Sequence, residues 1–263
     1  SLRGGVWKQL LDVHATPAMR MHWDRLNKDV ETCETLIDDI IRWEVLGVRN
    51  DFTYFPFDEC IEPALLAFFR DSTMLDEDGA MAELPKLQVV TPRGHAVYPP
   101  NGALPSNGCA IRMAPLCYVY SENMDIFLMF RQMFLQYWAK LQSISSKPAH
   151  MISLCKLFES LIESRSPHLV YHMLTLGVKP LSIVFPWIFM AFAGVLAVEQ
   201  TLILWDRILA FDRLELVPVM AAAILVWRTK AIMAADNAED IHHLLSDNTR
   251  IIVMPFLQHF LFG

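Results

Sequence analysis

The chain has 263 residues, 54% of them hydrophobic and 19% charged. Its 22 Lys and Arg against 29 Asp and Glu give a formal net charge of −7, with a pI near 5.7. So apolar a chain buries enough surface to offset its ordering entropy, which excludes disorder, and the lack of a basic excess argues against binding nucleic acid through its phosphates.

A mean hydropathy of +0.30 leaves two readings open, a protein with a large core or one that spans a membrane. The N-terminus, Ser1-Leu2-Arg3-Gly4-Gly5-Val6-Trp7, has no apolar signal-peptide core. Its abrupt start reads as a piece of a longer protein. In Leu36-Ile37-Asp38-Asp39-Ile40-Ile41-Arg42, Asp39 and Arg42 stand three apart. On a helix that spacing lets the carboxylate steady the guanidinium; alternatively Arg42 is a solvated arginine paired with Asp38 or Asp39.

Residues 71–106 read as a long loop, with the polar run Asp76-Glu77-Asp78-Gly79 and prolines at 85, 92, 99, 100 and 105. Asn107-Gly108 closes it as a turn dipeptide. From Asp125 to Leu141 the apolar residues Ile126, Phe127, Phe130, Phe134, Tyr137 and Leu141 recur at helical steps, after Ser121-Glu122-Asn123 as the capping entry. Met151 to Ile162 repeats the pattern, and a further segment starts at Pro167 and stops at Gly177. Helices are also predicted over 199–210, 214–228 and 236–246, the last with Asp236 as N-cap. Alternating stretches are few, so the fold class is all-α.

Residues 180–198 form 19 positions without a charge, nearly enough to span a bilayer. Ser182, Pro186 and Gly194 interrupt that run, and the mixed charges after it show no positive-inside bias. A buried core helix explains it equally well. The five cysteines (33, 60, 109, 117 and 155) form no CxxC pair and read as buried reduced thiols of a cytosolic protein. His242, His243 and His259 lack a metal-site arrangement.

Several segments together resemble the TBC domain of Rab GTPase-activating proteins. Arg3 and Trp7 fit the family's first motif. Pro167-His168-Leu169-Val170-Tyr171-His172-Met173 resembles its Pro-x-Leu-x-x-His-Leu segment, followed by Gly177, Pro180, Trp187 and Phe192. Trp205-Asp206-Arg207 resembles its tryptophan–aspartate motif. The tail Met254–Gln258 and the stretches Tyr98–Gly102 and Ser143–Ser146 resemble atypical members, a ciliary one among the alternatives.

The resemblance implies one multi-helix domain over 1–263 without sheet, with a loop insertion around 71–106, and a Rab-type small GTPase as partner. GTP and Mg²⁺ would be held by that GTPase, so the chain itself needs no cofactor or metal. It also implies two catalytic fingers. Arg42, supported by Asp39, fits the family's Ile-x-x-Asp-x-x-Arg motif, although Trp43-Glu44-Val45 follows where the family has Thr/Ser-Phe-Pro; Arg49 is a second candidate for that finger. Counting back from Ala114-Pro115 puts Asn107-Gly108 where the family has Gln-Gly, with Tyr98 nine residues upstream rather than two. Asn107 carries the same amide on a stem shorter by one methylene. Trp7, Trp187 and Trp205 read as core, and His172 as a hydrogen-bonded core histidine. The function that follows is Rab binding with weak or absent GTPase activation. The alternatives are an active GTPase-activating protein using Arg42, and a catalytically dead scaffold in membrane traffic or ciliary signalling. Its place is the cytoplasm, with recruitment to membranes or the ciliary base through partners.

Overall fold

The computed structural model describes residues 2–49, 57–92, 94–105 and 108–263, and for Arg49 and Asp58 the backbone alone. It divides into two compact units, Ser1–Ser143 and Ile144–Gly263.

The first unit runs α1 (Leu2–Leu10), α2 (Pro17–Thr32), α3 (Leu36–Arg49) and α4 (Asp58–Arg70). Thr16 caps α2 by accepting the Met19 N–H, and Pro17 occupies the first helical position, where no N–H is needed. α4 is the centre of this unit: Ala64, Leu65, Ala67, Phe68 and Phe69 are fully buried. Phe68 meets Phe130 and Phe134 edge-on with ring centroids 5.0 Å apart, a favourable quadrupole arrangement.

The segment read as a long loop is built of short elements. It holds a 3₁₀ turn (Ser72–Asp76), α5 (Ala80–Glu83), and an antiparallel hairpin of β1 (Leu87–Thr91) and β2 (Gly94–Tyr98). The expectation of a domain without sheet is corrected by this hairpin. Its strands are largely exposed, so no alternating pattern marked them. The segment is also fastened down. Asn101, fully buried, donates its amide to Phe68 O at 2.9 Å and accepts the Ala103 N–H at 3.0 Å. Gly102 has φ +73, and a Cβ there would lie 2.6 Å from Leu75.

Next come α6 (Cys109–Cys117) and α7 (Asn123–Met133), which continues through a π turn (Phe134–Trp138) into α8 (Ala139–Gln142). This is the helix read from 125 to 141. The capping entry differs: Glu122 holds the N-cap position and makes no side-chain cap bond.

The second unit contains α9 (Met151–Arg165), α10 (Pro167–Thr175), α11 (Pro180–Phe189), α12 (Val198–Phe211), α13 (Leu216–Trp227), α14 (Thr229–Met233), α15 (Ala238–Ser246) and α16 (Val253–Phe262). α13 is its core helix, packed between α9 and α16. The cap of α15 is Asn237, whose side chain accepts the Asp240 N–H, rather than Asp236.

The uncharged run 180–198 is not one helix. α11 ends at Phe189, and Ala191, Phe192 and Gly194 all take positive φ. Trp205, fully buried, holds this turn by donating Nε1–H to Ala191 O at 2.9 Å. No single helix among the described residues is long and apolar enough to cross a membrane. α10 and α11 pass that test only as a pair, and they meet at 108°. Of the five thiols only Cys109 is buried, and Cys33 is exposed, which corrects the uniform burial expected of them.

Candidate functional site

α3 carries the candidate finger. Thr35 precedes it and donates both its backbone N–H (2.9 Å) and its hydroxyl (2.8 Å) to the Asp38 carboxylate, the half of a capping box in which an acid three residues on takes the orphan donor. Arg70 of α4 closes a fork on the same carboxylate at 2.8 and 3.2 Å, with both side chains nearly buried. Asp38 is therefore occupied by Arg70, which rules it out as the partner of Arg42.

Arg42 lies on the flank of α3 that faces α2 and α4. Its Nη1 donates to Glu34 at 2.6 Å and to Asp39 at 3.5 Å, and its Nε to Glu62 at 3.3 Å. The Glu34 hydrogen bond, aided by Glu62 and opposed by burial, pushes the guanidinium above its ordinary value, so it stays charged. Its side chain is 42% exposed. It stands at a groove of about 490 Å³ that Glu31, Glu59 and Glu62 line together with the apolar Val30, Pro63 and Leu66. Five carboxylates thus surround or face one guanidinium. Glu34 and Glu62 escaped the sequence reading because neither lies at helical spacing from Arg42.

Glu44 is two residues further, about 200° around the helix. Its carboxylate accepts the Gly108 and Ala110 N–H groups, the latter at 3.1 Å, and so caps the first turn of α6. Burial pushes the Glu44 carboxyl up, against the lowering pull of the Ala110 and Gly108 amides and of Arg112. Gly108, at φ +120, is held from its other side as well: buried Arg112 donates Nε–H to its carbonyl at 2.9 Å. Asn107, the candidate for the second finger, lies outside the described residues, as does the Arg49 side chain. Within the described residues, the groove at Arg42 and the clamp on Gly108 lie on opposite flanks of α3. Sequence reasoning missed Glu44. Its one signal was a carboxylate set among the core positions Ile41, Val45 and Val48 of the same helix.

The remaining motif residues sit on α1, α10, α11 and α12. Arg3, half-buried, and Trp7, at 1% exposure, lie on α1, where Gly4 O accepts the Tyr120 hydroxyl at 3.0 Å. Pro167 starts α10, and His172 Nε2 lies 3.1 Å from Ala235 O. Trp187 is buried on α11, and Asp206 is half-buried on α12 beside Trp205.

The model of the Rab-GTPase-TBC domain family matches residues 106–233. Human TBC1 domain family member 19 is 37% identical over 269 aligned residues, covering all of this chain and 51% of that protein. The chain therefore spans about half the length of this curated relative. The crystal structure of the Ypt/Rab-GAP domain of Gyp1p superposes with a TM-score of 0.67 over 98% of this chain and 85% of that one, at 13% identity, and so shares its fold. The family match, a relative aligned along the whole chain and this helical architecture agree: the chain carries a domain of the Rab-GTPase-TBC family.

Proposed function

We propose that this chain docks on Rab-type small GTPases and accelerates their GTP hydrolysis weakly or not at all. The family supports the partner class, since Rab-directed GTPase activation is what its name describes. The observation that carries the weak-activation reading is the state of Arg42. An arginine finger must offer its guanidinium to charge building on the transferring phosphoryl group, a contribution of roughly 10³–10⁵ in rate. Here three carboxylates already hold that guanidinium, and more acid lines the groove beside it. Reaching a phosphate means breaking those contacts and bringing an anion into an acidic surround. The second support is the Asn107-Gly108 sequence where the family has Gln-Gly. A stem shorter by one methylene misplaces a water-orienting amide by about 1 Å, which costs about a hundredfold.

GTP and Mg²⁺ belong to the partner in this scheme. The chain acts from the cytoplasm and reaches membranes through what it binds. Equilibrium binding to a panel of purified Rabs, each loaded with GTP and then with GDP, tests the docking half. At least one GTP-loaded Rab should bind more tightly than its GDP form. No binding to any Rab would overturn the proposal.

A further inference from the structure

α3 is apolar on two faces. One is buried and carries Ile37, Ile41, Val45 and Val48. The other is open: Leu36 is 78% exposed, Ile40 47%, Trp43 75% and Leu46 45%. Leu36, Ile40 and Trp43 follow steps of four and three, so they form one continuous ridge. Single exposed apolar residues are ordinary, but a contiguous ridge headed by a tryptophan is the composition of an interface centre. Among the described residues of α3, Asp39 is the charged residue beside the ridge, and the flank beyond it holds Glu34, Glu62, Glu31 and Glu59 around Arg42.

From this we infer that the ridge Leu36–Ile40–Trp43–Leu46 is the surface on which the GTPase docks, and that it selects a GTPase whose apolar contact patch is rimmed by lysines or arginines. The inference rests on the Rab-partner reading above and adds which members of that class fit. Charge decides the occupant. In a symmetric pair of this chain each copy would present the same acidic rim to the other, and a net charge of −7 adds to the repulsion. A basic-rimmed partner meets the opposite sign, and complementary rims speed association and exclude wrong partners. The ridge supplies the affinity, because a buried tryptophan anchor costs about 2 kcal/mol or more when truncated.

The test measures affinity of the chain for the GTP-loaded Rab panel, ordered by the charge around each Rab's apolar contact patch, by titration calorimetry at low and high salt. Affinity should follow the basic order. Trp43→Ala should weaken it about 30-fold or more and leave the unfolding temperature unchanged, because the indole is three-quarters exposed. Glu31→Lys with Glu59→Lys should weaken binding several-fold and reduce its loss with salt. A Rab that binds the unmodified chain and Trp43→Ala equally well overturns this surface assignment and leaves the proposed function standing. Preference for acidic-rimmed Rabs overturns the charge rule. Dimerisation of the unmodified chain in sedimentation velocity, lost in Trp43→Ala, would assign the ridge to self-association instead. If no Rab binds the unmodified chain, the proposed function falls together with this inference.

Discussion

Removing the Asp71 carboxylate tests how the first unit is held around α4. Asp71 is fully buried at the end of that helix. Oδ1 accepts the Thr73 N–H at 3.1 Å and the Thr73 hydroxyl at 2.5 Å, and lies 2.9 Å from His22 Nε2. Oδ2 accepts Arg131 Nε–H at 2.8 Å. One carboxylate therefore joins α2, the 3₁₀ turn and α7. Asp71→Ala leaves the Arg131 guanidinium, only 12% exposed, without its nearest partner. Breaking a buried pair from one side costs about 3–5 kcal/mol. Arg131 keeps Glu77 at 3.0 Å, which puts the expected loss near about 3 kcal/mol. For a chain of this size that is a drop of about 6–12 °C in unfolding temperature, read by circular dichroism at pH 7. Asp71→Asn, which keeps an acceptor, should fall between the two. Burial would raise the Asp71 carboxyl, but the Thr73 and Arg131 hydrogen bonds outweigh it and hold the group below the usual carboxylate range. A depressed folded value means stability that is present above the unfolded value, near about 3.9, and lost as pH falls through the folded one. The gap between wild type and Asp71→Ala should accordingly shrink below about pH 4. A shift under about 2 °C at pH 7 would mean that Asp71 does not hold these elements together.

Glu44→Ala should speed hydrogen exchange at the Gly108 and Ala110 amides while leaving α13 unchanged; equal exchange in both proteins would remove Glu44 as the cap of α6. Because burial raises the Glu44 carboxyl, the folded chain binds that proton more tightly than the unfolded one. Wild type should therefore lose stability relative to Glu44→Gln as pH rises from the unfolded value near about 4.3 through the folded value, and a flat difference would contradict the burial. Iodoacetamide should modify Cys33 first and Cys109 last. Cys117 should also react slowly, since burial pushes its thiol up and depletes the thiolate. Labelling of Cys109 as fast as Cys33 would refute that burial pattern.

The helices of the second unit were legible because their determinants are local. Proline at 167, glycine at 177 and apolar steps of three and four specify α9 and α10 without reference to the rest of the chain. The same logic bounded the 125–141 helix but not its π turn, where Phe134, Tyr137 and Trp138 are buried. The hairpin at 87–98 escaped because its side chains face water, so burial left no period to read. Of the interruptions read at Ser182, Pro186 and Gly194, the first two lie inside α11 and only Gly194 falls in the break after Phe189. What fixes it is a hydrogen bond from Trp205, 14 residues away. At the candidate site the spacing of Asp39 and Arg42 was readable, and the contact is there at 3.5 Å. The stronger partners, Glu34 and Glu62, come from the connection before α3 and from α4, and only the tertiary structure brings them to Arg42. Glu44 shows the same limit: a carboxylate on a core face has meaning only once its acceptor role at Gly108 is known.

In the proposed reading the domain engages a Rab without strong activation. That reading is tested most directly by single-turnover GTP hydrolysis of a Rab that binds, at saturating concentrations of this chain, of Arg42→Ala and of Asn107→Gln. Acceleration should stay below about tenfold for the unmodified chain, far short of the 10³–10⁵ a working finger supplies. Arg42→Ala should change the rate little, and Asn107→Gln should raise it measurably. Acceleration of about 10³-fold or more by the unmodified chain, abolished in Arg42→Ala, would instead make Arg42 a working finger.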